Sequence, residues 1–70
     1  MRLINLESST IHQISYDSAV KILTVTFKRG ATYKYFNVPA EEVTNMLFAD
    51  SQGSYFSKNV AKAFKYEKFN

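Results

Sequence analysis

Lys58, Lys62 and Lys65 are spaced i, i+4 and i+7, which on a helix stacks three ammonium groups in one row. A row of cations without interleaved acids can serve as a ridge that contacts the phosphates of a nucleic-acid backbone. Lys28 and Arg29 form a second basic pair that adds to the row if the two lie close together. Tyr33-Lys34-Tyr35 supplies the other half of such chemistry, since aromatic rings on a sheet stack bases at roughly 1 to 3 kcal/mol each while a lysine holds the phosphates. Each feature has a plainer explanation. Three lysines also make an ordinary solvated helix face, and alternating tyrosines also pack beneath helices with their hydroxyls at the edge. If the tyrosines are inward, Lys34 and Phe36 take the open face and Phe36 becomes the ring available for stacking. Tyr55 and Tyr66 are further aromatic candidates on helix flanks.

Other chemistries have little to work with. There is no cysteine, so no disulfide, thiolate metal site or cysteine nucleophile exists. His12 is the single histidine, with neither a cysteine nor a second histidine to share a metal. Glu41 and Glu42 are adjacent, but neighbours on a helix point about 100° apart, and a first-turn position explains both through the helix dipole. No glycine-rich phosphate loop or nucleophile elbow occurs. The expectation is a non-catalytic domain without metal or cofactor.

The elements that position these residues follow from turn chemistry and alternation. Phe27-Lys28-Arg29-Gly30-Ala31 reads as a three-residue hairpin loop with Gly30 in the left-handed region. That loop pairs Phe27 with Ala31, Val25 with Tyr33 and Leu23 with Tyr35, which places those apolar residues and both tyrosines on one face. The opposite face receives Ile22, Thr24, Thr26, Lys28, Thr32, Lys34 and Phe36. A two-residue turn at Arg29-Gly30 instead moves both tyrosines to the polar side, so register decides whether they are core or display. A preceding strand spans Thr10 to Tyr16, with Ile14 and Tyr16 inward and a turn through Asp17-Ser18-Ala19. The hairpin strands run over about 21–27 and 31–38.

Pro39 suits the first position of a helix, and Val43, Met46 and Leu47 at i, i+3 and i+4 form its sheet-facing stripe. Ser51-Gln52-Gly53 breaks it, Ser54 caps a second helix, and Phe56, Val60, Ala63 and Phe64 make that helix's apolar stripe. The expected architecture is α+β: a three-stranded antiparallel meander packed on one face by two C-terminal helices, in the order βββαα.

The chain has 70 residues, 46% of them hydrophobic and 16% aromatic, which is enough for one small core. Residues 1–50 carry five basic and five acidic groups, so Lys58, Lys62, Lys65 and Lys68 against Glu67 supply the entire net charge of +3. No apolar run approaches the roughly 20 residues of a membrane span, and the N-terminus lacks a signal-like stretch. A cytoplasmic, non-membrane protein is expected, as a monomer or a weak homodimer.

The order Ile14-x-Tyr16-Asp17, then Leu23-x-Val25-x-Phe27-x-x-Gly30-x-x-Tyr33-x-Tyr35-x-x-Val38-Pro39, then Ala49-x-Ser51-x-Gly53-x-Tyr55-Phe56 resembles the KTSC domain. That family occurs at the C-terminus of some lysyl-tRNA synthetases and as small stand-alone proteins. The resemblance spans about Ser9 to Tyr66. It implies the α+β fold and, through the synthetase context, RNA as a ligand, tRNA included. Residues 9–70 are thus expected to form one KTSC-like domain. Residues 1–8 stand as an extra strand or a tail, or make a dimer contact through Leu3, Ile4 and Leu6. Two functions remain open. One is RNA binding through the basic C-terminal helix, with Lys28, Arg29, Lys34, Tyr33, Tyr35, Phe36 and Tyr55 as accessory groups. The other is a protein-interaction adaptor, a small bacterial or phage factor using the open edge of the third strand.

Overall fold

The computed structural model describes residues 2–5 and 8–69. Strand β1 is Arg2–Asn5, β2 Ile11–Asp17, β3 Ile22–Phe27 and β4 Thr32–Tyr35. Helix α1 is Ala40–Leu47, and α2 is Gln52–Tyr55, which runs on as a π-helical stretch over Phe56–Val60. A short final strand, β5, is Tyr66–Lys68. All five strands join one antiparallel sheet in chain order, β1-β2-β3-β4-β5. The α+β class and the two helices are as expected, and the three expected strands are the middle three of the sheet. A fourth strand precedes them, and the tail adds the fifth after the helices. Leu6 and the side chain of Leu3 lie outside the described residues, while Ile4 pairs with Ile14 and packs against the core.

The β3–β4 hairpin adopts the three-residue loop. Gly30 has φ +101°, and the Phe27 amide donates to the Ala31 carbonyl at 2.8 Å. Val25 stands opposite Tyr33 and Leu23 opposite Tyr35, so both tyrosines lie on the core side. In β2 the register slips between Ile11 and Gln13, a bulge that sets one extra residue, His12, against β3. Strict alternation from Ile14 and Tyr16 would carry His12 inward. The bulge turns it to solvent and brings Ile11 into the core instead.

Ile11, Ile14, Leu23, Val25, Val38, Met46 and Val60 are each less than 2% exposed, and burying a side chain of this kind contributes roughly 1.5 to 3 kcal/mol. They lie between the sheet and the two helices. The Tyr16 hydroxyl donates to the Val38 carbonyl at 2.6 Å and the Val38 amide to the Lys21 carbonyl at 3.0 Å, which pins the β4–α1 connection against the β2–β3 turn. That turn begins as expected, with the Asp17 carboxylate accepting from the Ala19 amide at 3.0 Å.

Helix α1 starts one residue later than expected and α2 three residues earlier. Pro39 is the N-cap of α1, with extended ψ of 149°, not its first helical residue. Glu41 and Glu42 occupy the first turn, where the dipole favours them. Ser51, not Ser54, caps α2, its hydroxyl accepting from the Ser54 amide at 3.3 Å. Gly53 is therefore helical, not a breaker. Past Tyr55 the hydrogen bonding lengthens to i→i+5, with the Ala61 amide on the Phe56 carbonyl at 2.8 Å, and the helix ends soon afterwards. Phe56 and Val60 are buried as the stripe requires, but Ala63 is exposed because it lies in the turn beyond.

Candidate functional site

The end of the helix at Val60 dismantles the lysine row. Lys58 lies in the π-helical stretch, Lys62 in the following turn and Lys65 immediately before β5. With i→i+5 bonding followed by a reversal of the chain, no common helix face carries all three. The tail regroups Lys62 and Lys65 and leaves Lys58 in a separate cleft. The Phe36 amide donates to the Lys65 carbonyl and the Phe69 amide to the Thr32 carbonyl, at 2.9 and 2.8 Å, so residues 65–69 lie along β4. β4 is consequently not an edge strand, and the open third strand expected to receive a partner is already occupied by β5.

Strand pairing sorts the tail into two faces. Tyr66 stands opposite Tyr35 and Lys68 opposite Tyr33, on the core side; Glu67 stands opposite Lys34, on the other. On the core side five aromatic rings form a connected cluster. Phe27 meets Phe56 at 5.5 Å and Tyr33 at 5.6 Å, and Tyr35 meets Phe56 at 5.2 Å, all edge-on. Tyr66 closes the cluster at 5.5 Å from Tyr33 and 5.6 Å from Tyr35. Exposure rises across it: Phe56 and Tyr35 are 4% exposed and Tyr66 is 55% exposed. Burial, reinforced by the neighbouring hydroxyls of Tyr33 and Tyr66, pushes the Tyr35 phenol up to about 12, so it stays neutral at physiological pH.

Basic groups surround the exposed end of this cluster. One depression is lined by Arg29, Gly30, Ala31, Tyr33 and Lys68, and another by residues 61–66, including Lys62, Lys65 and Tyr66. The Tyr33–Tyr66 ring contact joins them. Among the described residues lining the two, none is acidic. Arg29 is steadied from below, its guanidinium carbon 5.4 Å from the Phe27 ring centre. Lys28 and Arg29 border a third hollow with Ser9 and Thr10, and Ser9 and Thr10 also line a hydroxyl-rich cleft that includes Asp50 and Lys58.

The remaining candidate residues fall elsewhere. Tyr35 is too buried to stack on a ligand. Lys34 is on the opposite face, its ammonium 4.6 Å above the Phe69 ring, and Phe36 is half-buried. Tyr55 is not a free ring either: its hydroxyl donates to Glu42 at 2.7 Å, which latches α2 to α1 and raises its pKa. His12 is exposed at the bulge, and among the described residues no three of His, Cys, Asp and Glu come together. Sequence reasoning placed Tyr66 on a helix flank, counted Lys68 only toward the net charge and gave Phe69 no role. The alternation Tyr66-Glu67-Lys68-Phe69 was the available signal, and four residues are too few to separate it from a helix end.

The model of the KTSC domain matches residues 7–64. The chain belongs to the KTSC family. A lysine–tRNA ligase of Trichormus variabilis is 37% identical over 68 residues, which is 97% of this chain and 12% of the ligase. The chain thus spans only a small part of that relative. A small protein of Stutzerimonas stutzeri is 41% identical over 58 residues, 83% of this chain and 82% of that one. The crystal structure of a KTSC domain protein from Yersinia pestis superposes with a TM-score of 0.90 at 30% identity, covering 99% of this chain and 97% of the other. The KTSC fold therefore occurs both as a chain of this size and as a region of a much larger ligase. No described helix is long and apolar enough to cross a membrane.

Proposed function

We propose that this KTSC domain is a non-catalytic RNA-binding module whose contact surface is the β4–β5 edge and the hairpin tip, not a helix face. The observation that carries this is the regrouping of Arg29, Lys62, Lys65 and Lys68 around Tyr33 and Tyr66, with no acidic residue among the lining of either depression. Cations at the rim of an aromatic surface match a ligand made of phosphates and bases. The similarity to part of a lysine–tRNA ligase supports the same assignment, because that relative's name makes tRNA its substrate. Lys28 extends the basic surface along Ser9 and Thr10, whereas Lys58 lies in a cleft that also holds Asp50 and stays outside that surface.

The test is fluorescence anisotropy of labelled tRNA and of single-stranded and duplex RNA at 50 and 200 mM salt. Four phosphate contacts give a log-log salt slope of about −3, or roughly a 50-fold loss of affinity across that range. Charge reversal of Arg29, Lys62, Lys65 and Lys68 together abolishes binding if the assignment is right. The competing adaptor reading has its own observation, Phe48, which is 85% exposed between the two helices. Binding to a protein through that ring would barely respond to salt and would survive the charge reversals.

A further inference from the structure

Building on that RNA-binding reading, we infer that the site takes unpaired nucleotides and that Tyr66 is the residue on which a base stacks. Its ring is half exposed, yet it rests against Tyr33 and Tyr35 at 5.5 and 5.6 Å, and Tyr35 is itself wedged against buried Phe56. An exposed ring supported in this way loses little freedom when a base covers it. Tyr33 and Tyr35 support the ring through tilted contacts while about half of the residue stays open to solvent.

Basic residues line both the depression that holds the ring and the one adjoining it. Lys62 and Lys65 share its own depression, and Arg29 and Lys68 share the adjoining one. A single strand whose base lies on Tyr66 presents its preceding and following phosphates to these two pairs. A duplex cannot do so, because its bases are stacked on one another and only its backbone reaches the protein.

The opposite face offers a second exposed ring, Phe69, at 57% exposure. That ring already carries the Lys34 ammonium at 4.6 Å, and Glu67 stands beside Lys34 in the pairing, where it repels phosphate. The nucleotide therefore lies on the Tyr66–Lys68 side of β5.

The experiment compares a labelled ten-nucleotide oligouridine with an RNA duplex of the same length, against the wild type and the variants Tyr66→Leu, Tyr66→Phe and Phe69→Leu. The single strand binds more tightly than the duplex; Tyr66→Leu weakens it by roughly 5- to 150-fold, as loss of one stacked base requires, and leaves duplex binding unchanged. Tyr66→Phe keeps the ring and stays within a fewfold of wild type, and so does Phe69→Leu. Circular dichroism melts of all three variants separate misfolding from loss of contact, and Tyr66→Phe restores binding only if the ring is what matters. Equal affinity for both RNAs, or a Tyr66→Leu defect of the same size in each, overturns the single-strand assignment while leaving RNA binding intact. Absence of binding to either RNA at low salt overturns both.

Discussion

Replacing Gly30 with alanine isolates backbone strain from every other effect. Gly30 has φ +101°, in the region that side chains rarely enter, and a Cβ built there meets no heavy atom within 4 Å. The cost is therefore conformational, not steric against neighbours. Holding an L-residue in the left-handed region costs about 1 to 2 kcal/mol, and the narrower unfolded ensemble of alanine returns about 0.4 to 1 kcal/mol. The net loss is about 1 kcal/mol, which for a domain of this length lowers Tm by about 4 to 8 °C. Thermal melting followed by far-ultraviolet circular dichroism reads this directly. A D-alanine at position 30, introduced by chemical synthesis, adds the same methyl group with the opposite handedness and restores or raises Tm. Because the same loop holds Arg29 beside Tyr33 and Lys68, the proposed RNA contact predicts that Gly30→Ala also weakens binding of RNA. A Gly30→Ala protein that melts at or above the wild-type temperature would refute the hairpin assignment, as would equal losses for both alanine enantiomers.

Three further outcomes are expected. Stability falls as pH rises from about 10 to about 12, because the unfolded chain releases the Tyr35 proton first while burial keeps the folded phenol neutral; the limit is about 3 kcal/mol, and Tyr35→Phe flattens that part of a urea-unfolding pH profile. Tyr16→Phe removes the 2.6 Å hydrogen bond to the Val38 carbonyl and lowers stability by about 0.5 to 1.5 kcal/mol, read as a shift in the urea midpoint without a change in slope. Ser51→Ala removes the cap of α2 and costs about 0.5 to 2 kcal/mol, whereas Ser54→Ala keeps the amide that Ser51 binds and costs less; equal losses in the two melts contradict the assignment of the cap.

What was legible in the sequence was what short-range chemistry determines. Gly30 and the alternation on either side of it agree on one register, so the placement of Leu23, Val25, Tyr33 and Tyr35 followed from both. Val43, Met46 and Leu47 had helical spacing behind a proline and two acids, and α1 formed there. Two features were hidden because their cause is non-local. The bulge at His12 lets Ile11 and Ile14 both reach the core, and nothing in a period of two announces it. The tail contains neither Gly nor Pro, so the apolar spacing of Phe56, Val60, Ala63 and Phe64 read as one continuous helix. The chain instead loosens into i→i+5 bonding and returns to satisfy the outer hydrogen-bonding groups of β4, a pairing between residues about 30 apart. The candidate site inherits that error. Its residue types were visible, but the grouping of Lys62, Lys65 and Lys68 with Arg29 and Tyr66 depends on β5.

The central claim is that RNA meets this KTSC domain at the β4–β5 edge and the hairpin tip. Amide and aromatic NMR shifts recorded while single-stranded oligouridine is added test it most directly. The account predicts changes concentrated on Arg29, Tyr33, Lys62, Lys65, Tyr66 and Lys68, with α1 and the Lys34–Phe69 face undisturbed. Changes centred on α1 and Phe48, or none at saturating oligonucleotide in low salt, would contradict it.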